Sequence, residues 1–172
     1  MSGASRPDVH RCETCGELTQ KWKEPLSGLV IRKRKYDISI TYDGVVVVSQ
    51  RFKCVFEAAC LLGLQFRVLP DDAVFYTIHA ARVVAFDAER RKTRFIKQCP
   101  QCGRFESVVG ATPVYLKPGD QIDPREFVRT DLEFGSQDEK HPLLLCGNDA
   151  AQSLSRAKLR GLDLIPVEQT AH

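Results

Sequence analysis

Long apolar runs, an apolar leader and a strong charge imbalance are all missing from this 172-residue chain, and each absence excludes something. No stretch approaches the roughly 18 apolar residues needed to cross a bilayer. The opening residues Met1-Ser2-Gly3-Ala4-Ser5-Arg6-Pro7-Asp8 contain no apolar signal core, so a cytoplasmic chain is expected. Nine Pro and eleven Gly are ordinary for the length, which argues against collagen-like order and wholesale disorder. A net charge of +3 is too small to imply nucleic-acid binding, since dedicated binders show a clearly basic domain or stripe. Catalytic signatures are scarce as well: there is no G-x-G-x-x-G, phosphate loop, H-E-x-x-H or nucleophile elbow, so a non-enzymatic protein is expected.

What is present suits one soluble domain over residues 1–172, 43% hydrophobic and 27% charged, with material for one sizeable core. Charge is uneven along it. Residues 1–97 carry 17 basic against 11 acidic side chains, and residues 98–172 carry 8 against 11. The basic clusters, Arg32-Lys33-Arg34-Lys35 and Arg90-Arg91-Lys92 with Arg94, read most simply as solvated strand ends.

Seven cysteines make an odd count, which argues against a closed disulfide framework and toward metal or packing roles. Four of them form two copies of C-x-x-C-G, Cys12 to Gly16 and Cys99 to Gly103. A C-x-x-C turn points two sulfurs at one spot, and the trailing glycine can take positive φ so that backbone N–H groups face the thiolates. Two such knuckles complete a tetrahedron, so Cys12, Cys15, Cys99 and Cys102 are the expected ligands of a structural Zn²⁺ with no open position. Two rival readings remain. Cys99 and Cys102 could be a redox pair, although Gly103 and the strand-like Phe105-Glu106-Ser107-Val108-Val109 replace the helix such a pair normally opens. An iron–sulfur centre also takes four thiolates, but these spacings are not those of ferredoxins. His10 could stand in for a sulfur, and reads more simply as a solvated residue near the terminus.

A second pattern is internal similarity. Val45 to Val48, Ser49 and the helical series Phe52, Val55, Phe56, Ala59 and Cys60 read as a strand, an N-cap and an amphipathic helix that Gly63 ends. Displaced by 98 residues stand Leu143 to Cys146, then Ala150, Leu154 and Ala157 at the same spacing, then Gly161. The closing strands Leu64 to Val68 and Leu162 to Pro166 correspond too. Units 1–97 and 98–172 are therefore expected to descend from an internal duplication. Further strands are expected over 36–40, 74–78, 82–87, 94–97 and 127–134, with turns at Asp43-Gly44, Pro70-Asp71-Asp72 and Lys117 to Asp120. The fold class is α+β: strand-rich mixed sheets, two main helices and two related strand–helix–strand units joined by a four-cysteine zinc site.

Other candidates are weaker. Cys54, Cys60 or Cys146 could be a nucleophile beside His79 or His141, but Cys60 and Cys146 fall at positions expected of buried packing thiols. Asp71-Asp72 suits a solvated turn, and Trp22 packing near the first knuckle or facing a partner. The acidic run Asp131 to Glu139 reads most simply as a surface strand; facing a cationic partner, it would place its carboxylates at the rim and Phe134 among the apolar anchors.

Two C-x-x-C-G motifs, one near the start and one past the middle, together with the strand–Ser–helix–strand unit around Val47 to Leu69, make the chain resemble the myxobacterial double-CXXCG motif family over residues 10–168. That resemblance implies an immunity protein of a kin-discrimination system: a cytoplasmic antidote that binds and neutralises a cognate polymorphic toxin without catalysis. Under it the four cysteines carry over as metal ligands, and no toxin-contact residue does. The alternative is a zinc-ribbon nucleic-acid-binding or regulatory protein using its basic front half on phosphates.

Overall fold

The computed structural model describes residues 10–19, 29, 31 and 34–168. Trp22, Arg32 and Lys33 lie outside the described residues. The fold is α+β, as the periodicities predict. Strands β1 (Ile38–Ile40), β2 (Val46–Ser49), β3 (Leu64–Leu69) and β4 (Asp72–Ala80) form an antiparallel sheet in the order β1-β2-β4-β3, with helix α1 (Gln50–Ala58) between β2 and β3.

A second sheet has the order β10-β9-β7-β6: β6 (Arg94–Gln98), β7 (Phe105–Val109), β9 (Phe127–Ser136) and β10 (His141–Cys146). Short β5 (Val83–Val84) runs parallel to β9, and α2 (Ala88–Arg91) leads into β6. Helix α3 (Asn148–Arg156) follows β10, and β8 (Val114–Tyr115) pairs in parallel with β11 (Val167–Glu168).

Alternation on β9 and β10 explains how the two units share one interior. Phe127 joins the core of α1, α3 and the first sheet, while its neighbour Val128 joins the core that contains Val84, Phe86, Val108 and Phe134. Leu144 and Leu145 divide in the same way, because successive strand residues face opposite sides. Strands β9 and β10 are therefore covered on both faces. In the first core Phe56 packs against Phe66 at 5.1 Å and against Phe127 at 5.8 Å between ring centroids. Burying a ring such as Phe52, 0% exposed, contributes about 2 to 3 kcal/mol.

The two main helices begin and end at positions displaced by 98 residues. Ser49 caps α1 as expected, accepting from the Phe52 N–H at 3.2 Å. The ends differ from the reading of the sequence. Helix α1 stops at Ala58, before Gly63, because Cys60 takes the left-handed conformation at φ 50°, and Lys158 does the same after α3 at φ 51°. Gly63 and Gly161 instead open the segments beyond, at φ 88° and 82°.

Leu162 to Pro166 do not form the expected strand; only Val167–Glu168 pairs, with β8, so among the described residues the second unit shows no counterpart of the β3–β4 hairpin. The strand expected over 82–87 is reduced to β5, since Asp131 and Asp120 side chains take the N–H groups of Phe86 and Ala85. Asp72 is no solvated turn residue: it is buried, starts β4, and accepts from Arg34 at 2.8 Å. The seam expected between residues 97 and 98 falls inside β6.

Candidate metal centre

The two C-x-x-C-G motifs make the same local structure. In the first, Arg11 and Leu18 bridge in antiparallel fashion, the Cys12 N–H donates to Glu17 at 2.9 Å, and the Gly16 N–H donates to the Cys12 carbonyl at 2.8 Å. In the second, Gln98 and Phe105 pair, the Cys99 N–H donates to Arg104 at 2.8 Å, and the Gly103 N–H donates to Cys99 at 2.9 Å. Gly16 and Gly103 sit at φ 72° and 71°, the left-handed region that side-chain-bearing residues seldom occupy. That conformation turns the chain back after the second cysteine, so both sulfurs of each pair project from one loop.

The loops face each other. Sγ of Cys12 lies 3.8 Å from Sγ of Cys99, Sγ of Cys15 lies 3.7 Å from Sγ of Cys102, and all four sulfurs fall within 4.8 Å of one another. Four thiols in this arrangement are placed to hold one metal ion. Cys12 and Cys99 are buried, Cys102 is half-buried and Cys15 is exposed, so one edge of the cluster faces solvent. Contacts across the seam join residues 87 positions apart: Cys12 with Cys99, Thr14 with Gln101, Cys15 with Cys102, and Glu17 with Arg104. Pairing of each residue with its own counterpart is the pattern of an approximate two-fold axis.

The electrostatics suit a cation. The Cys99 thiol is lowered to about 7, chiefly by the Cys102 N–H, with burial opposing and the Gln101 N–H assisting. Cys15 moves the other way. The Glu17 N–H favours its thiolate, but burial and the three crowded sulfurs push it up to about 12. Four thiolates this close repel one another, and a divalent cation among them removes that conflict.

A buried ionic group supports the first knuckle, and no local pattern of residues announces it. Glu17, 8% exposed, pairs with Lys140, 3% exposed, at 2.8 Å and with Arg104 at 3.2 Å. Arg104 also reaches Glu133 at 3.2 Å, and the Lys140 ammonium donates to the carbonyls of Phe105 and Glu106. Arg11 pairs with Asp138 at 2.9 Å, whose other oxygen accepts from the Leu18 N–H at 3.2 Å.

Three of the four carboxylates in the acidic run are engaged within the chain: Asp131, Glu133 and Asp138 bind Phe86, Arg104 and Arg11. Phe134 is buried, 5% exposed, with its ring 4.8 Å from Phe86, so it cannot be the apolar anchor of a partner surface.

The remaining candidates do not converge. Among the described residues the four cysteines are the one group of His, Cys, Asp and Glu side chains arranged to hold a metal. His10 is exposed and outside it; its carbonyl accepts from Thr19. Cys60, expected in the core, is exposed because the left-handed turn carries it off the buried face of α1. Cys54 is exposed beside Gln50, and Cys146 is partly buried, its thiol raised to about 11 by burial. No described helix is long and apolar enough to cross a membrane. No protein-family model, curated protein or solved structure matches this chain.

Proposed function

We propose that this chain is a non-enzymatic immunity protein that binds and neutralises a cognate toxin, with a structural Zn²⁺ held by Cys12, Cys15, Cys99 and Cys102. The convergence of two C-x-x-C-G knuckles on one point carries the reading, because paired motifs of this kind are what the chain has in common with the double-CXXCG immunity family. Zinc fits the sulfur positions. A Zn–S bond of about 2.3 Å makes the edges of a regular tetrahedron about 3.8 Å, and the cross-knuckle sulfurs stand 3.7 and 3.8 Å apart. Bound there, the ion would supply cohesion rather than catalysis, since four sulfurs leave no position for substrate. The correspondence of the two halves supports their origin by internal duplication.

Two measurements test this. Elemental analysis of the purified chain is expected to give one zinc per molecule; iron with visible absorbance, or no metal, overturns the assignment of the ion. Co-expression with the toxin encoded beside this chain is expected to restore growth. Cells that die equally with and without the chain overturn the antidote role.

A further inference from the structure

We infer that the outer edge of β6 is a docking edge for an extended acidic segment of a partner protein, which adds to the second sheet as another strand. This deepens the antidote reading and rests on it for the identity of the protein that brings the segment.

Among the described residues β6 is the last strand of its sheet, paired with β7 alone. An unpaired edge presents a row of N–H and C=O groups that another chain can complete. All five β6 residues are exposed, and the ribbon shows apolar side chains on both faces: Ile96 at 39% and Val109 at 40% exposure on one, Phe95 at 39% on the other. Lys97 interrupts the strand at φ 50°, so regular pairing runs over Arg94 to Ile96 and resumes at Gln98. A short regular edge limits indiscriminate pairing while leaving room for one strand.

Charge selects the occupant. Arg90, Lys92, Arg94 and Lys97 are all exposed along the approach to the edge and on it. Lys97 is paired with Glu106 at 3.0 Å, and Arg90 stacks over Tyr115 at 4.2 Å. Lys92 and Arg94 have no acidic partner among the described residues. A second copy would bring the same cations to the same edge, and like charges on facing strands oppose pairing. Nucleic acid would find the cations, but it cannot use the strand's hydrogen-bonding edge. The Phe95 ring is also already packed on Phe105 at 4.9 Å, so it offers a poor stacking platform for bases. A peptide strand carrying both carboxylates and small apolar side chains matches the backbone edge, the exposed apolar side chains of each face and the cations together.

The test has two arms. In the first, the metal-loaded, ¹⁵N-labelled chain is titrated with a peptide alternating Glu and Val, and with a Lys and Val control. Saturable shifts at residues 94–98 and 107–109 are expected with the first peptide, and binding by Arg94→Glu or Ile96→Asp at least roughly tenfold weaker. Both side chains are exposed, so zinc content and melting of these variants should match the parent. No shift at the edge, equal binding of the Lys and Val peptide, or stronger occupation of the edge by an oligonucleotide overturns the inference.

In the second arm, Arg94→Glu and Ile96→Asp are expected to lose protection against the neighbouring toxin. Full protection by both removes the docking edge and leaves the antidote role standing. Edge binding of the acidic peptide by a parent chain that gives no protection removes the antidote role alone.

Discussion

The two knuckles share their internal hydrogen bonds and differ in what holds them. The second grows out of the β6–β7 hairpin, where Arg94, Phe95, Ile96 and Gln98 pair with β7 on either side of the irregular Lys97. The first has a single bridge, Arg11 with Leu18, and leans on side chains of the second unit: Asp138, Arg104 and Lys140. One knuckle continues a ladder of backbone pairs, which is expected to hold without a metal. The other is held by ion pairs, and its sulfurs stand where they could share an ion with the second knuckle. The same five-residue pattern thus gives the same turn, while the surrounding chain decides whether that turn stands alone.

Loss of a metal ligand is expected to separate the two knuckles most sharply. Cys99→Ser opens a site that has no spare ligand, and is expected to abolish stoichiometric zinc binding and cost several kcal/mol of stability. Hydrogen exchange locates the loss. Amides of residues 10–19 should lose protection in this variant or after chelation, while those of 94–98 and 105–109 keep most of theirs. Equal loss in both knuckles would show that the hairpin depends on the metal too, and melting like that of the parent would reduce the cysteines to incidental residues.

How much of this was legible beforehand follows from the range of each interaction. The knuckles, the Ser49 cap and the helical faces of Phe52 and Phe56 depend on neighbours a few residues away, and spacing alone reveals them. Convergence of the sulfurs was readable because four ligands complete one tetrahedron. The fate of Phe134 was not readable. An alternating acidic strand has the same pattern whether its carboxylates face solvent or Arg104 and Arg11, and only the packing of β9 against β7 distinguishes the two. Cys60 misled for a related reason: helical spacing continues through it, but the backbone leaves the helix one residue earlier. The β6 edge stood in the sequence as a basic cluster, and its exposure follows from sheet order, which local pattern does not contain.

The ionic support offers the next test, and it bears on the first knuckle alone. Lys140 and Glu17 are both almost fully enclosed, so removing Lys140 leaves the Glu17 carboxylate with the longer Arg104 pair, at 3.2 Å, in a medium that solvates it poorly. Lys140→Met is expected to cost about 3 kcal/mol and to weaken zinc retention, because Glu17 follows directly on the Gly16 turn. The double variant Lys140→Met with Glu17→Gln should recover part of the loss, since it removes both buried charges. A single variant as stable as the parent would show that water reaches Glu17 and that the pair carries little.

The smallest effect separates the two helix starts. Ser49 and Gly147 occupy corresponding positions before α1 and α3, but they satisfy the helix ends differently. The Ser49 hydroxyl accepts from Phe52 N–H and donates to Asp37 at 2.8 Å. Gly147 has no side chain to offer; the Pro124 carbonyl accepts from Ala150 N–H at 3.0 Å, and a Cβ on Gly147 would stand 2.1 Å from the Asp123 carbonyl oxygen. Ser49→Ala should therefore cost about 1 kcal/mol, a loss visible in urea unfolding. It should also move the acid limb. Burial works against the Asp37 carboxylate, yet the Arg160 N–H, the Ser49 hydroxyl and Arg51 hold its pKa below the ordinary range. A lowered carboxyl contributes stability above its unfolded value of about 3.9, and that stability is lost as pH falls through the folded value. Without the Ser49 donor the folded value rises, so the variant should begin to lose stability at a higher pH than the parent. If both chains lose stability over the same acid range, Asp37 draws its stabilisation from Arg160 and Arg51, and Ser49 serves α1 alone.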